Sequence, residues 1–266
     1  MSIAERLTPS DLRFVVETVA TRRRDYDRVV EIVRDKPDLV EPMLDDPRLV
    51  QRLLNEEEAL VRVSPQLLFA VLLRRVRTDL AERGFVMEVD DCGKRVPVFE
   101  SERVRELLME PTVYEYLVEL LCSFVRTHTA VIYWRDGRGW HKRRISDFNM
   151  DDMVALCEWV EEEFRPQLYR RIGDIALFMS GVYPDHAGVF VRRPRTFTRS
   201  HRTLQDYEAE GRRFYGLAAR QPLPPWSSEL FETLAERFTL ARHALNTLSD
   251  SYLKPLRSRY FSTPAE

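Results

Sequence analysis

The sequence predicts a mainly α protein, an irregular multi-helix bundle with one or two small β-hairpins. Apolar residues recur at intervals of three and four along most of the chain, and capping residues or prolines precede these stretches. Only two short regions combine strand-like residues with a glycine turn. With 266 residues, 44% of them hydrophobic, the chain is long enough to bury a sizeable core.

The first 62 residues are predicted to form a helical N-terminal layer. Thr8 and Pro9 begin a helix in which Leu12, Val15 and Val16 share one face. Residues 36–40 and 46–50 resemble each other, and each copy places a proline near a helix N-terminus, so two short helices are predicted. Two copies are too few for a solenoid.

Residues 63–256 are predicted to form the main helical domain, and 257–266 a flexible tail. Ser64 begins its first helix and Gly84 ends it. Hairpins are expected near 85–99 and 130–145, the second with Asp136-Gly137 as a two-residue turn that would place Tyr133 opposite Trp140. The other expected helices are 101–109, 112–126, one capped by Ser146 or Asp147, 166–181, 204–219 and 227–248.

Composition limits the classes of function. The net charge of −2 gives no chain-wide field that would attract nucleic acid, which is therefore an unlikely partner. The three cysteines are scattered, which argues against a disulfide framework or a zinc knuckle, and no helical pair of metal-ligating residues appears, so no metal site is predicted. Without a secretory signal or a long apolar run, we expect a cytoplasmic protein with no membrane span, and the excess of arginine over lysine suggests a bacterial source.

The predicted helix 166–181 contains the most distinctive pattern. Gly173, Ala176 and Ser180 form a stripe of small residues, so we expect a close crossing with the helix 204–219 at its own Gly211 and Ala218. Asp174 would lie near this crossing, and a buried carboxylate needs a partner or a proton. The candidate partners are Arg170, Arg171, Arg212, Tyr207 and Tyr215.

Three interpretations of Asp174 stay open: a structural acid that ties two helices together, a carboxylate that anchors a ligand or acts as an acid or base, or an exposed side chain. We expect binding of a partner protein or a small anionic ligand at the crossing. The candidate residues are Asp174, Tyr183, His186, Tyr207, Arg212 and Tyr215. The alternative is an enzyme that uses Asp174 with a tyrosine or histidine as acid and base. No nucleotide-binding or nucleophile motif is present, so neither a catalytic residue nor a cofactor can be assigned.

Two further segments combine arginine with aromatic residues. No acid occurs between His186 and Gln205, a stretch that contains Arg192, Arg193, Arg195, Arg199 and Arg202. This segment is predicted to be a solvated, mobile loop, or else a loop that contacts an anionic ligand or partner as a lid over the crossing. Contact with nucleic acid is a further alternative. The hairpin at 130–145 has a similar composition and is either a packed sheet or an exposed arm that contacts a partner.

Glu232, Glu236 and His243 would share a polar, solvated face of the last long helix.

The motif Gly173-Asp174 … Leu177-Phe178 … Ser180-Gly181 … Tyr183-Pro184 resembles one found in a family of uncharacterised bacterial α-helical proteins. Further matching pieces, among them Asp206-Tyr207 and Leu217-Ala218, extend the resemblance over roughly residues 165–250. The resemblance implies a helical fold and no particular activity.

Overall fold

The protein is mainly α-helical, with two small antiparallel hairpins, as the sequence predicts. The structure is a computed structural model that describes residues 3–21, 25–89, 94–126, 128–136, 139–186 and 202–261. In these ranges no helix combines the length and the apolar character that crossing a membrane requires.

The elements follow one another along the chain in the order expected for a helical protein with two inserted hairpins. They are α1 (Ile3–Arg6), α2 (Pro9–Val19), α3 (Tyr26–Arg34), α4 (Pro37–Leu44), α5 (Pro47–Asn55), α6 (Glu57–Arg62), α7 (Pro65–Arg83), β1 (Val86–Val89), β2 (Arg95–Val98), α8 (Ser101–Met109), α9 (Pro111–Ser123), β3 (Thr129–Asp136), β4 (Gly139–Ser146), α10 (Met150–Trp159), α11 (Arg165–Val182), α12 (Leu204–Ala218), α13 (Ser228–Glu236), α14 (Phe238–Leu248) and α15 (Lys254–Phe261). Short 3₁₀ turns cover Glu162–Phe164 and Pro184–His186, and a π-helical turn covers Ser249–Leu253.

The chain divides into two compact units. Unit 1 comprises residues 1–86, 98–122 and 247–266, and unit 2 comprises residues 87–97 and 123–246. The predicted boundary at residue 62 does not coincide with this division, because α7 packs against α4 and α5 and so belongs with the N-terminal helices. The helix α15 extends through Phe261, into the segment predicted to be a flexible tail.

Unit 1 is organised around capped helix starts and one buried guanidinium. Asp11 is fully buried, completes a capping box with Thr8, and accepts a 2.7 Å hydrogen bond from the backbone N–H of Ser64 at the start of α7. Gly84, with a φ of +74°, ends that helix as predicted. The side chain of Arg74 is 8% exposed and donates to the Tyr114 hydroxyl, Asp45 and Glu41.

Unit 2 contains the β3–β4 hairpin, whose register differs from the predicted one. Asp136 pairs with Gly139, so the connection consists of residues 137 and 138, which lie outside the described ranges. This shift places Tyr133 opposite Lys142, and the prediction that Tyr133 faces Trp140 is wrong. The Asp136-Gly137 pair predicts a turn that begins one residue before the observed one.

Two helix boundaries in unit 2 also differ from expectation. The cap of α10 is Asn149, whose side chain accepts hydrogen bonds from the N–H groups of Asp151 and Asp152, rather than Ser146 or Asp147. The predicted helix 227–248 is two helices, because Arg237 leaves the helical conformation with φ −106° and ψ 28°.

Candidate functional site

Asp174 is buried and paired, as the sequence predicts. Its exposed fraction is 3%, and its Oδ1 accepts a 2.8 Å hydrogen bond from the Tyr215 hydroxyl. The Nε atom of Arg170 lies 3.7 Å from the other carboxylate oxygen, which is a charge contact rather than a hydrogen bond. Tyr215 is itself fully buried, so Asp174 is held from the interior side by a hydroxyl that water does not reach.

The α11–α12 crossing exists, but small residues do not simply face small residues. A Cβ at Gly211 would lie 3.1 Å from Ala176 Cβ, which agrees with the predicted close approach, and still closer to the ring of Phe238. Gly173 instead accommodates the ring of Tyr215, and a Cβ there would lie 2.7 Å from two ring carbons. Gly181 accommodates Leu245 in the same way. The stripe therefore makes room for large side chains as well as for a helix backbone.

A polar pocket of about 440 Å³ lies over the N-terminal half of α11, with Asp174 in its wall. The segment after α12, which contains the cis peptide bond between Pro224 and Pro225, forms the opposite wall. The lining residues combine both signs of charge with amide side chains and a small apolar portion. They are Ser123, Glu163, Pro166, Gln167, Arg170, Arg171, Asp174, Gln221, Pro222, Leu223 and Pro224.

The guanidinium of Arg171 is held in a defined position at this pocket. It donates to the backbone carbonyl of Asp147 at 2.9 Å and to Ser123 Oγ at 2.8 Å. It also lies 4.1 Å from the ring centroid of Phe124, which is within cation–π range. Together with the Asp147 carboxylate, these contacts fix the position of the charge.

Three of the other predicted ligand residues, Tyr183, Tyr207 and Arg212, are not among the described residues that line the pocket. Tyr183 packs edge-on against Phe178, with ring centroids 5.6 Å apart, and Tyr207 is buried. Arg212 donates to the carbonyls of Ala235 and Glu236 at the end of α13. The backbone of His186 belongs to the 3₁₀ turn after α11, and its side chain lies outside the described part of the structure. Of the six candidates, the structure brings together Asp174 and Tyr215.

The predicted anion loop is described only at its end. Arg192, Arg193, Arg195 and Arg199 lie outside the described ranges. Arg202 forms ion pairs with Asp151 at 2.5 Å and Glu210 at 2.8 Å, and these contacts raise the pKa of its guanidinium against the opposing effect of burial.

Unit 2 contains an ionic cluster of Glu88, Arg242 and His243 that the sequence does not predict. His243 was expected on a solvated face with Glu232 and Glu236, but it is 1% exposed, because the break at Arg237 changes the phase of the helix. Its Nε2 lies 3.4 Å from Glu88 Oε2, and Arg242 donates to Glu88. Hydrogen bonding by His243 and then by Arg242 lowers the pKa of Glu88 to about 2. Glu88 is the one charged residue of β1, and its neighbours in the strand are apolar. This pattern was the sequence signal for a buried ion pair at Glu88.

Comparison of the chain with protein-family models, with curated proteins and with solved structures found no match. The resemblance to a family of uncharacterised bacterial proteins therefore stays a prediction. In the part of the chain that the structure describes, no group of three or more histidine, cysteine, aspartate or glutamate side chains is arranged to hold a metal ion.

Proposed function

We propose that the protein binds a small polar ligand in the pocket over Asp174. The observation behind this proposal is a carboxylate that is almost fully buried, held from behind by the Tyr215 hydroxyl, and present in the wall of a 440 Å³ cavity. A few fixed polar groups in a concave site are typical of ligand recognition.

The charges of the pocket indicate the class of ligand. Arg170 and Arg171 supply positive charge, and Asp174 and Glu163 supply negative charge, within one small cavity. A ligand that carries an anionic group and a cationic group is complementary to both sets, in addition to the contacts that Arg170 and Arg171 already make with Asp174 and Asp147. A zwitterion the size of a free amino acid fits these charges and this volume, and Leu223 offers apolar contact for a side chain.

The geometry supports binding more than acid–base catalysis. Tyr215 is fully buried, so its hydroxyl is not available to a substrate. The side chain of His186 lies outside the described residues, so the pairing of Asp174 with His186 as acid and base stays a prediction. Nucleic-acid contact by the arginine loop is also less favoured, because Arg202 is engaged with Asp151 and Glu210.

A cytoplasmic location in a bacterial cell is part of this proposal. Cys122 and Cys157 are free thiols, and burial raises the pKa of both. Inert thiols that form no disulfide are usual in a reducing compartment.

The proposal is tested with the twenty free α-amino acids, added one at a time to the full chain in a thermal-shift assay and then in calorimetry. At least one is expected to raise the melting temperature of the wild-type protein, because a ligand that binds only the folded state stabilises it. Amidation of its carboxylate or acetylation of its amine should abolish the shift. Arg170→Gln should weaken binding, and Asp174→Asn should abolish it.

The matched control is Glu158→Gln, which removes an exposed carboxylate of α10 away from the pocket lining. This variant should bind like the wild type. If none of the twenty amino acids binds, or if Arg170→Gln and Asp174→Asn bind as tightly as the control, the proposed site is wrong. Arg170→Gln keeps the test decisive if Asp174→Asn is too unstable to measure.

A further inference from the structure

The β3–β4 hairpin displays aromatic and basic side chains together on one exposed face. Side chains at alternate positions of a strand share a face, and the register pairs Val131 with Arg144 and Tyr133 with Lys142. Trp140, two residues before Lys142, belongs to the same face. Tyr133 is 61% exposed and Trp140 is 74% exposed, values far above those of aromatic residues in a packed sheet.

The hairpin is strongly basic although the protein is not. Residues 129–146 contain five arginine and lysine residues and one aspartate, a local net charge of +4 in a chain whose net charge is −2. The low net charge of the whole protein therefore conceals a concentrated positive segment. Lys142 and Arg144 are both exposed, and Lys142 Nζ lies 5.7 Å from the ring centroid of Tyr133, so charge and ring occupy the same surface.

We propose that this face binds single-stranded nucleic acid. Exposed aromatic rings stack on unpaired bases without regard to sequence, and cationic side chains beside them neutralise the phosphates. Tyr133 and Trp140 occupy diagonal positions on the two strands, about 7–8 Å apart. This separation allows two neighbouring bases to contact one ring each, with Lys142 and Arg144 beside the backbone.

The size of the face favours a short oligonucleotide over a folded protein. Two strands of eight residues measure about 26 Å by about 10 Å, or roughly 260 Å². A stable protein interface requires about 800 Å² from each partner. A few nucleotides need no more than this ribbon provides, since single-strand binding folds accommodate as few as about four.

Duplex nucleic acid fits the face less well. In a duplex the bases are already stacked on one another, so the exposed rings of Tyr133 and Trp140 would find no π-face to contact. Only the charge of Lys142 and Arg144 would then act, which predicts weaker binding to a duplex than to a single strand.

The test is fluorescence anisotropy of the full chain with labelled ten-nucleotide oligo-dT and oligo-U, and with a ten-base-pair duplex. Both single strands are expected to bind more tightly than the duplex. Trp140→Ala and Tyr133→Ala should each raise the Kd roughly 5- to 150-fold, the usual cost of losing a base–aromatic stack. Replacing Lys142 and Arg144 together by alanine should reduce the slope of log K against log salt by about 1.4.

Matched controls use exposed residues elsewhere in the chain. Phe99→Ala removes an aromatic ring that is 81% exposed, and the double variant Arg34→Ala, Lys36→Ala removes two exposed cations. These variants should bind like the wild type. The proposal is overturned if Trp140→Ala binds like Phe99→Ala, if the duplex binds as tightly as the single strands, or if polyglutamate competes as well as unlabelled oligo-dT. The last result would indicate an acidic protein partner.

Discussion

The ring of Tyr215 lies directly against Gly173, at a distance that excludes any side chain at that position. A Cβ on Gly173 would come within 2.7 Å of the Cδ1 and Cε1 atoms of the ring. The same tyrosine donates its hydroxyl hydrogen to Asp174, the next residue of α11. The glycine is therefore what allows α12 to approach closely enough for the hydroxyl to reach the carboxylate.

We expect Gly173→Ala to destabilise the protein by about 1–3 kcal/mol, the usual cost of forcing an extra carbon into a packed interior. The buried ring of Tyr215 has to shift, and this shift also lengthens its hydrogen bond to Asp174. Urea unfolding followed by circular dichroism measures the difference.

Gly216 of α12 provides the matched control for this substitution. No atom lies within 4 Å of the position that its Cβ would occupy. Gly216→Ala should therefore stabilise the protein by about 0.5–1 kcal/mol through helix propensity alone. Equal effects of the two substitutions would contradict the packing described for Gly173.

Tyr215→Phe should lower the free energy of unfolding by about 1–3 kcal/mol, because it keeps the ring and removes the donor to a buried carboxylate. In an Asp174→Ala background the same substitution should cost much less, since no acceptor remains. A double-mutant cycle measures this coupling. Additive effects would mean that the hydrogen bond contributes nothing to stability.

In unit 1, Arg74→Ala should cost about 1.5–3 kcal/mol. The side chain is 8% exposed, and its removal breaks hydrogen bonds to the Tyr114 hydroxyl and to two carboxylates that are 37% and 44% exposed and can be solvated afterwards. Arg77 is the matched control, because it also pairs with Asp45 but is 29% exposed. Arg77→Ala should cost about 1 kcal/mol or less. A similar loss of stability in both variants would show that the contribution of Arg74 to stability does not depend on its burial.

Local signals predicted most helix boundaries correctly. Proline and serine at Ser64-Pro65 and glycine at Gly84 set both ends of α7, because caps act through backbone groups within one turn. Burial of Asp174 also followed from its apolar neighbours. The break at Arg237 carried no such signal, since arginine is a good helix former and the surrounding apolar pattern continues.

The pocket was predictable only in part, because its walls come from segments far apart in the chain. Gln221, Pro222 and Ser123 meet α11 through tertiary packing, and no spacing rule relates them to Asp174.

The predicted register of the β3–β4 hairpin was wrong for a different reason. A one-residue difference in where the turn begins moves every cross-strand pair, and the local Asp136-Gly137 signal could not resolve it.

The contribution of Glu88 to the stability of unit 2 should depend on pH. Its neighbours His243 and Arg242 lower the pKa of Glu88 from 4.5 to about 2 in the folded protein. A lowered folded pKa means that the charged form stabilises the fold. This stabilisation is complete above the unfolded pKa of about 4.5 and is lost as the pH falls towards 2.

Glu88→Gln should therefore unfold more easily than the wild type at pH 7, by about 1–3 kcal/mol, because a side chain that is 27% exposed keeps part of its solvation. The difference should shrink steadily between pH 4.5 and pH 2, because the wild-type carboxylate becomes protonated there and resembles the amide. Urea midpoints at pH 7, 4, 3 and 2 measure it. A difference that stays constant down to pH 2 would show that Glu88 stabilises the fold through packing, because only a charge-dependent contribution disappears when the carboxylate takes up its proton.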